Sequence, residues 1–367
     1  MNPYEPDELP PTGLDYARLF PLIGPANAAL ARYDGLLQSV INPTVMLSPL
    51  TTREAVLSSR IEGTQATVDE VLEYEAGIEF DPEKTKDIQE VVNYRESLAL
   101  AKDALNTHQL SLYLIRQMHA KLMDSVRGQD KDPGRFRTTQ NWIGPAGCPM
   151  DEATFVPPSP LRLQDHLEAF ERYLHSSEGD PLLQVAVVHA QFELIHPFKD
   201  GNGRVGRLLI PLFLFQKQAL ASPMFYLSEY LEAHRSEYYQ RLRNISQDGD
   251  WTGWITFFLR AITLQAKANT ERVRGIRDLY EKMKGRTMEL SRSQFSITLL
   301  DSLFDRPIFY ASEFIERTGL PRSTGLVFLN RLRDAGILIV IRESGGRKST
   351  LYAFKDLLNC AEGRIVL

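Results

Sequence analysis

Apolar side chains recur every three or four residues along most of the chain, and this spacing predicts a mainly α-helical protein. A proline-rich stretch, residues 1–25, precedes the pattern and predicts an extended arm. Helical spacing then continues from Asn27 to about Ala104, with breaks at Pro43 and Pro49. Further amphipathic helices are predicted at 109–126, 161–175, 181–195, 203–219, 231–246 and 251–284.

Glycine and proline become frequent between Gly128 and Pro160, where the helical spacing stops. Two short segments with strand character, 140–143 and 154–156, lie on either side of a turn-rich connection. We therefore expect a small β-hairpin inserted in a helical bundle.

The last quarter of the chain has a different pattern. The predicted elements are helices at 295–304, 310–318 and 322–335, then strands at 337–341 and 349–354. This is the order of a winged helix-turn-helix, whose third helix should bury Val327, Leu329 and Leu332. The chain is thus predicted to divide into an N-terminal arm and helical segment (1–105), a core (106–270), a connecting helix (271–290) and a winged helix (291–367).

Composition narrows the class of protein. The 367 residues are 43% hydrophobic and 24% charged, which is typical of a globular chain and excludes a disordered or fibrous one. A net charge of −5 argues against a chain that coats nucleic acid or anionic lipid. Cys148 and Cys360 lack metal-type spacing, which favours a reducing compartment. With no signal peptide pattern and no long apolar run, we expect a soluble, cytoplasmic protein without membrane contact.

The most informative stretch runs from His196 to Arg207, HPFKDGNGRVGR. A helix ending near Ile195 delivers His196 to a tight turn, and the glycines leave N–H groups of the next helix free to bind an anion. Arg204 and Arg207 are three residues apart and share a helix face. With the Asp200 carboxylate, this set suits a nucleotide polyphosphate and Mg²⁺, and His196 can act as a general base. It is not a P-loop, because no Gly-Lys-Ser/Thr follows the glycines.

The string matches every fixed position of His-x-Phe-x-(Asp/Glu)-Gly-Asn-Gly-Arg-x-x-Arg and resembles the signature of the Fic family of AMP transferases. Residues 133–144 and 156–158 resemble the flap of that family. Upstream, residues 58–63 (SSRIEG) are similar to its inhibitory motif, (Ser/Thr)-x-x-x-Glu-(Gly/Asn). The resemblance covers residues from about 30 to 265.

The resemblance implies a Fic-type helical bundle that moves AMP from ATP to a Ser, Thr or Tyr hydroxyl of a target protein and releases pyrophosphate. His196 would be the catalytic base, Asp200 would hold Mg²⁺, and Arg207 would bind chiefly the γ-phosphate. The nucleotide would be bound by Asp200, Gly201, Asn202, Gly203, Arg204, Val205, Gly206, Arg207, Tyr238 and Tyr239, with the two tyrosines at the adenine. The target segment would pair with the flap residues Asn141, Trp142, Ile143 and Gly144.

The resemblance also implies a built-in inhibitor. Ser58 and Glu62 share a helix face, since they are four residues apart. Glu62 would pair with Arg207, occupy the γ-phosphate position and leave ATP misaligned for transfer. The same glutamate would allow AMP removal from the target.

Other interpretations stay open at this point. The chain could be a DNA-binding regulator whose Fic-like core only senses a nucleotide, or an enzyme that uses another donor. Residues 291–360 carry 10 Lys+Arg and 7 Asp+Glu, a small excess for a DNA reader. The basic residues predicted on the third helix and wing are Arg322, Arg331, Arg333, Arg342, Arg347 and Lys348. We therefore favour target docking or self-association, including a homodimer, over DNA contact.

Overall fold

The computed structural model describes residues 2–126, 131–145, 147–177, 179–345 and 349–365. It is mainly α-helical, as the sequence pattern predicts. The helices are α1 Tyr16–Gln38, α2 Pro43–Met46, α3 Ser48–Ile61, α4 Val68–Glu75, α5 Pro82–Ala104, α6 Leu112–Leu122, α7 Leu163–His175, α8 Pro181–Ile195, α9 Asn202–Gln216, α10 Ser228–Ala233, α11 Arg235–Asp248, α12 Trp251–Ser291, α13 Ser296–Asp305, α14 Ala311–Thr318, α15 Arg322–Asp334 and α16 Lys355–Glu362. A 3₁₀ helix covers Met150–Glu152, and the strands are β1 Ile308–Tyr310, β2 Leu338–Arg342 and β3 Leu351–Phe354.

The chain forms two compact units whose segments alternate along the sequence. One contains Met1–Asp34, Leu57–Thr64 and Val92–Lys267, and the other contains Gly35–Val56, Gln65–Val91 and Ala268–Leu367. The predicted division into four consecutive segments stays a prediction.

The first unit is built around α8 and α9, which pack against each other. α8 (PLLQVAVVHAQFELI) is apolar on nearly every face, and a helix of that kind is stable only when it is surrounded. Its start is set by Pro181 and by Asp180, whose carboxylate accepts the N–H of Leu182 at 2.8 Å. From α12, the indole of Trp254 donates to the Ala186 carbonyl at 2.8 Å. Among the described helices, none is both long and apolar enough to cross a bilayer.

The second unit contains the sheet. Its strand order is β1-β3-β2, all antiparallel, with Phe309 and Val340 both opposite Tyr352. α2 packs on α13, and α4 packs on β1. Every residue of β3 is buried, because this central strand is covered on both faces.

Several helix boundaries differ from the sequence prediction. α6 is shorter than the predicted 109–126, α9 ends at Gln216 instead of 219, and α12 continues to Ser291 instead of ending at about 284. α1 begins at Tyr16, inside the predicted extended arm, and includes Pro21 and Pro25. Each proline removes one helical hydrogen bond, but Leu19 and Ala26 of this helix are fully buried, and that burial favours the helix. The helix predicted at 231–246 is two helices, α10 and α11, separated at His234 (φ −115°, ψ 32°).

The predicted β-hairpin is present as one antiparallel bridge between Ile143 and Phe155. Ile143 N donates to Phe155 O at 2.8 Å, and Phe155 N donates back at 3.1 Å. The ladder stops there because Pro157 and Pro158 follow one residue later and have no N–H to donate.

The C-terminal elements come in the predicted order, with β1 and α16 in addition. β1 has three residues, too few for a periodic signal. Leu329 and Leu332 are fully buried as expected, but the prediction for Val327 is wrong, since it is 49% exposed. Arg347 and Lys348 lie outside the described residues, and the winged-helix assignment itself stays a prediction.

α4 offers a test of local stability. Thr67 Oγ1 accepts the Glu70 N–H at 3.3 Å, and the Glu70 carboxylate accepts the Thr67 N–H at 2.8 Å. Thr67→Ala should cost about 1 kcal/mol, so amide hydrogen exchange in 68–75 should be about fivefold faster. Thr67→Ser keeps the hydroxyl and should exchange at the original rate; equal rates in all three proteins would show that this cap does not support α4.

Candidate active site

His196 sits at the point where α8 ends. Its backbone is in the left-handed region (φ 48°, ψ 61°), which ends a helix and turns the chain sharply. Nδ1 lies 3.3 Å from the Glu193 carbonyl, and a carbonyl can only accept, so Nδ1 carries the proton. Burial lowers the pKa of His196 to about 4 despite that hydrogen bond. The imidazole is therefore neutral at pH 7, with a free lone pair on Nε2.

Arg137 holds the backbone around His196. Its buried guanidinium donates to the carbonyls of His196 at 3.0 Å and Pro158 at 2.6 Å, and its N–H donates to Pro197 O at 2.9 Å. A cation at a helix C-terminus satisfies carbonyls that have no helical partner. The sequence prediction placed Arg137 in the flap region and missed this contact; the available signal was the second arginine of the Gly-Arg-Phe-Arg string.

The loop that follows is closed by its own side chains. Asn202 Oδ1 accepts the Phe198 N–H at 2.8 Å, and Asn202 Nδ2 donates to Phe198 O at 2.9 Å. Both polar atoms of the Asn202 side chain are thus bonded within the loop. Gly201 adopts φ 76°, a conformation that favours glycine.

His119 braces the same loop from α6. Its ring stacks on Phe198 with centroids 3.7 Å apart. Nδ1 accepts the Gly134 N–H at 2.8 Å, so Nε2 carries the proton and donates to Asp200 O at 3.0 Å. Burial lowers its pKa to about 4, and it stays neutral. Both ring nitrogens have partners, so His119 positions the loop.

Arg207, on the second turn of α9, is fully buried and faces the end of α3. Nε donates to Ser58 Oγ at 2.8 Å, and Nη2 donates to Ser58 O at 2.9 Å and Glu62 Oε1 at 2.8 Å. Partial burial favours the protonated form of Glu62, but the guanidinium outweighs it and the pKa lies below its usual range. A Cβ at Gly203 would collide with Glu62 Oε1, so a larger residue there would displace the carboxylate.

The two arginines of the motif have different partners. Arg204 is buried, with Nη2 3.6 Å from Met123 Sδ, and does not line the cavity described below. Val205 is fully buried. Asp200 is exposed, and its Oδ1 accepts the Gly201 N–H at 2.6 Å. Within the described residues, no group of three His, Cys, Asp or Glu side chains could hold a metal ion.

Tyr238 and Tyr239 lie on α11 and have different environments. Tyr238 is buried and its hydroxyl lies 3.0 Å from His189 Nε2, while His189 Nδ1 lies 3.0 Å from Gly206 O. Since Gly206 O must accept, Nε2 of His189 accepts from Tyr238, and burial keeps this histidine neutral by lowering its pKa to about 3. Tyr238 is thereby connected to Gly206 of α9 through His189. Tyr239 is 41% exposed and presents its ring to solvent.

These parts surround a cavity of about 580 Å³. It is lined by Glu62, Trp142, Ile143, Gly144, Thr154, Phe155, Glu193, Leu194, His196, Gly203, Arg207, Arg235, Tyr238, Tyr239, Leu242, Arg243 and Ser246. Of the predicted site residues, the structure brings His196, Gly203, Arg207, Glu62, both tyrosines and three flap residues to one cavity. Ser58 reaches it through Arg207, and Asn141 is linked to the loop by a bond from Nδ2 to Phe198 O at 3.1 Å.

Glu193 is a cavity residue that sequence reasoning missed. Its Oε1 is buried without a hydrogen-bond partner among the described residues, and a Cβ at Gly206 would collide with it. Burial raises the pKa of this carboxyl to about 8, against the lowering effect of Arg207. It is mostly protonated at pH 7. The position, one helical turn before His196, was the available signal.

Comparison with known proteins gives a consistent result. Residues 20–103 match the Fic/DOC family N-terminal model, and residues 109–214 match the Fic/DOC family model. The two matches together cover just over half of the chain.

Curated relatives share part of the chain. The protein adenylyltransferase fic-1 of Caenorhabditis elegans is 26% identical over 207 residues, which is 55% of this chain and 36% of that protein. The protein adenylyltransferase Fic of Drosophila ananassae is 32% identical over 149 residues, 39% of this chain and 26% of that protein. The chain thus spans only a quarter to a third of the length of these relatives.

Solved structures share the fold. A Fic family protein from Desulfovibrio desulfuricans G20 superposes with a TM-score of 0.59 at 19% identity, over 96% of this chain and 98% of that one. Fic-1 from C. elegans superposes with a TM-score of 0.50 at 21% identity, over 71% and 73%.

The environment of Glu193 predicts a pH effect. A carboxyl whose pKa is raised in the folded state binds its proton more tightly there than in the unfolded chain. Its contribution to the free energy of unfolding is therefore full below about pH 4.5, and it is lost as the pH rises through about 8. Glu193→Gln should therefore gain stability relative to the parent protein as the pH rises from 4.5 to 8.5. Denaturant unfolding of both proteins at several pH values measures this, and a constant difference would contradict it.

Proposed function

This chain belongs to the Fic/DOC family, and we propose that it transfers AMP from ATP to a Ser, Thr or Tyr hydroxyl of a target protein. One observation carries the proposal: the neutral imidazole of His196 faces the same cavity as the start of α9 and the buried Arg207. A proton acceptor beside a ready anion site is what attack on a phosphate requires. The names of the curated relatives support the same activity.

His196 acts as the base. The target hydroxyl oxygen attacks the α-phosphorus, the bond from that phosphorus to the bridging oxygen breaks, and pyrophosphate leaves. The hydroxyl proton goes to Nε2, which holds a lone pair because Nδ1 donates to Glu193 O. Arg137 keeps the imidazole in place through the His196 carbonyl. Positioning of this kind supplies much of the rate enhancement in phosphoryl-type transfer.

The phosphates lie at the start of α9. The backbone N–H groups of Asn202 and Gly203 and the positive end of the helix attract them, and Arg207 takes the γ-phosphate. The Gly201 N–H is already bonded to Asp200 Oδ1. Asn202 contributes its backbone only, since its side chain closes the loop. Three further residues of α9 do not line the cavity: Arg204, Val205 and Gly206. Their part is to pack α9 against the rest of the unit.

Mg²⁺ fits this scheme as a companion of ATP. Asp200 offers one exposed carboxylate beside the start of α9, and Mg²⁺ is commonly held by one or two carboxylates together with substrate phosphates. The ion would neutralise phosphate charge. The backbone of Asp200 is fixed by a hydrogen bond from His119 Nε2 to the Asp200 carbonyl.

The adenine stacks on Tyr239, whose ring is exposed to the cavity, while Tyr238 supports it from the interior. Ser246, two turns further on α11, lines the same cavity, but its hydroxyl donates to the Arg243 carbonyl at 2.9 Å.

The flap binds the target as an added strand. Ile143 uses its N–H and its carbonyl towards Phe155. Successive residues of a strand point these groups in opposite directions, so Trp142 and Gly144 present the outer edge. The N-terminal segment covers the other side, since Tyr4 N donates to Val156 O at 2.9 Å. The target is therefore expected at the Trp142–Gly144 edge.

Glu62 is the inhibitor. Its carboxylate accepts one N–H of Arg207, and Ser58 accepts two more. The negative charge of Glu62 thus stands beside the guanidinium where a γ-phosphate would have to bind, and it opposes that phosphate until α3 moves or the carboxylate is removed. The same carboxylate lies where it could orient water for AMP removal.

Residues 291–367 would serve target docking or self-association, including a homodimer. Arg331 donates to Leu290 O at 2.7 Å, and Arg333 pairs with Asp334 at 2.9 Å. Two of the arginines predicted for DNA contact are thus engaged within the chain. A cytoplasmic location agrees with the two free thiols, Cys148 and Cys360.

The inhibitor predicts a gain of activity. With ATP labelled at the α-phosphate and Mg²⁺, Glu62→Gly should incorporate on the order of a hundredfold more label into protein than the parent, because Arg207 is released to a phosphate. Glu62→Gly/His196→Ala should incorporate none. Glu79→Gly, which changes an exposed loop glutamate, is the matched control and should behave like the parent.

ATP binding without label in Glu62→Gly, with cell lysate added as a source of targets, would instead favour a nucleotide sensor. Label that is lost on incubation of the parent protein with modified target would establish AMP removal.

A further inference from the structure

Two arginines of the cavity have no place in the scheme above. Arg235 and Arg243 lie on α11, are exposed, and line the same cavity as His196. Neither makes an ion pair with a carboxylate in the part of the chain that the structure describes. Arg235 lies 6.0 Å from the centroid of the Tyr239 ring, at the limit of a cation–π contact.

Helix geometry places the two charges on one face. Arg235, Tyr239 and Arg243 are spaced by four residues, so their side chains follow each other along α11. At 1.5 Å per residue, the Cα atoms of the two arginines are about 12 Å apart. An extended polypeptide at about 3.3 Å per residue covers that distance in about four residues.

The cavity wall has an unbalanced positive charge. Glu62 and Arg207 neutralise each other at 2.8 Å. Glu193 is mostly protonated at pH 7, and His196 is neutral, because burial raises the pKa of the first to about 8 and lowers that of the second to about 4. Arg235 and Arg243 are then the charges left over among the described lining residues.

We propose that Arg235 and Arg243 bind an acidic segment of the target polypeptide, with two carboxylates about four residues apart on either side of the modified hydroxyl. The inference rests on the proposed AMP transfer. A polypeptide fits better than the nucleotide, because the phosphate donors lie at the start of α9. The flap edge at Trp142 and Gly144, which lines this cavity, would hold the same segment. The two arginines would thus select targets by charge.

The test uses Glu62→Gly as the parent and two peptides. One has a central Tyr with Glu two residues before and after it; the other has Gln at both positions. Companion pairs with a central Ser or Thr cover the other hydroxyls. With labelled ATP, adding Arg235→Gln and Arg243→Gln should raise the KM for the acidic peptide about fivefold each. The KM for the Gln peptide should stay within twofold.

Arg241→Gln is the matched control. Arg241 is on the same helix, pairs with Glu237 at 3.1 Å and does not line the cavity. Its substitution should leave both peptide KM values unchanged. Salt should weaken the acidic peptide alone, because exposed charge pairs are screened.

Three outcomes would overturn the inference. The parent could have equal KM values for the two peptides, or the Arg235 and Arg243 substitutions could leave the KM for the acidic peptide unchanged. The substitutions could also raise the KM for ATP alone, which would assign these arginines to the nucleotide. Binding of fluorescently labelled peptides, measured by anisotropy, decides the question without turnover. If no variant incorporates label but the acidic peptide still binds through Arg235 and Arg243, the AMP-transfer proposal fails and the docking site stands.

Discussion

The structure of the first unit depends on one constraint: a polar loop joins two helices that are buried on nearly every face. Polar groups that leave water at such a junction need partners inside the protein, since an unmade hydrogen bond costs about 1–3 kcal/mol. Asn202 closes the loop on Phe198, His119 holds the Asp200 carbonyl, and Arg137 takes the carbonyls at the end of α8. Together these bonds set the path of the loop between α8 and α9.

The same burial sets the protonation of the cavity. His196 and His189 are buried and stay neutral, and each donates its Nδ1 proton to a backbone carbonyl. This fixed tautomer leaves Nε2 of each ring as a hydrogen-bond acceptor. Glu193 keeps its proton for the same reason. Glu62 differs because Arg207 donates a hydrogen bond to it at 2.8 Å, and its pKa lies below the usual range. Charge in the cavity is therefore a consequence of packing.

Arg207 connects the loop to the N-terminal helices. A guanidinium with 1% of its side chain exposed must be paired, and here the partners come from Ser58 and Glu62 on α3. Breaking such a pair by removing one partner leaves a buried charge that seeks another anion. A phosphate at the start of α9 would be that anion. The contact that stabilises the resting protein is thus the one that a nucleotide would have to replace.

The sequence by itself determined the helical class and the chemistry of the 196–207 string, because these depend on local spacing and residue type. It also indicated that Glu62 and Ser58 share a face. Only the tertiary structure decided which side chains meet: Arg207 enters the cavity and Arg204 does not, Asn202 turns inward, and Glu193, Arg235 and Arg243 join the wall. Likewise α1 extends through two prolines, and Val327 is exposed. Spacing fixes which face of a helix a residue shares with its neighbours, whereas the packing of separate helices decides what that face meets.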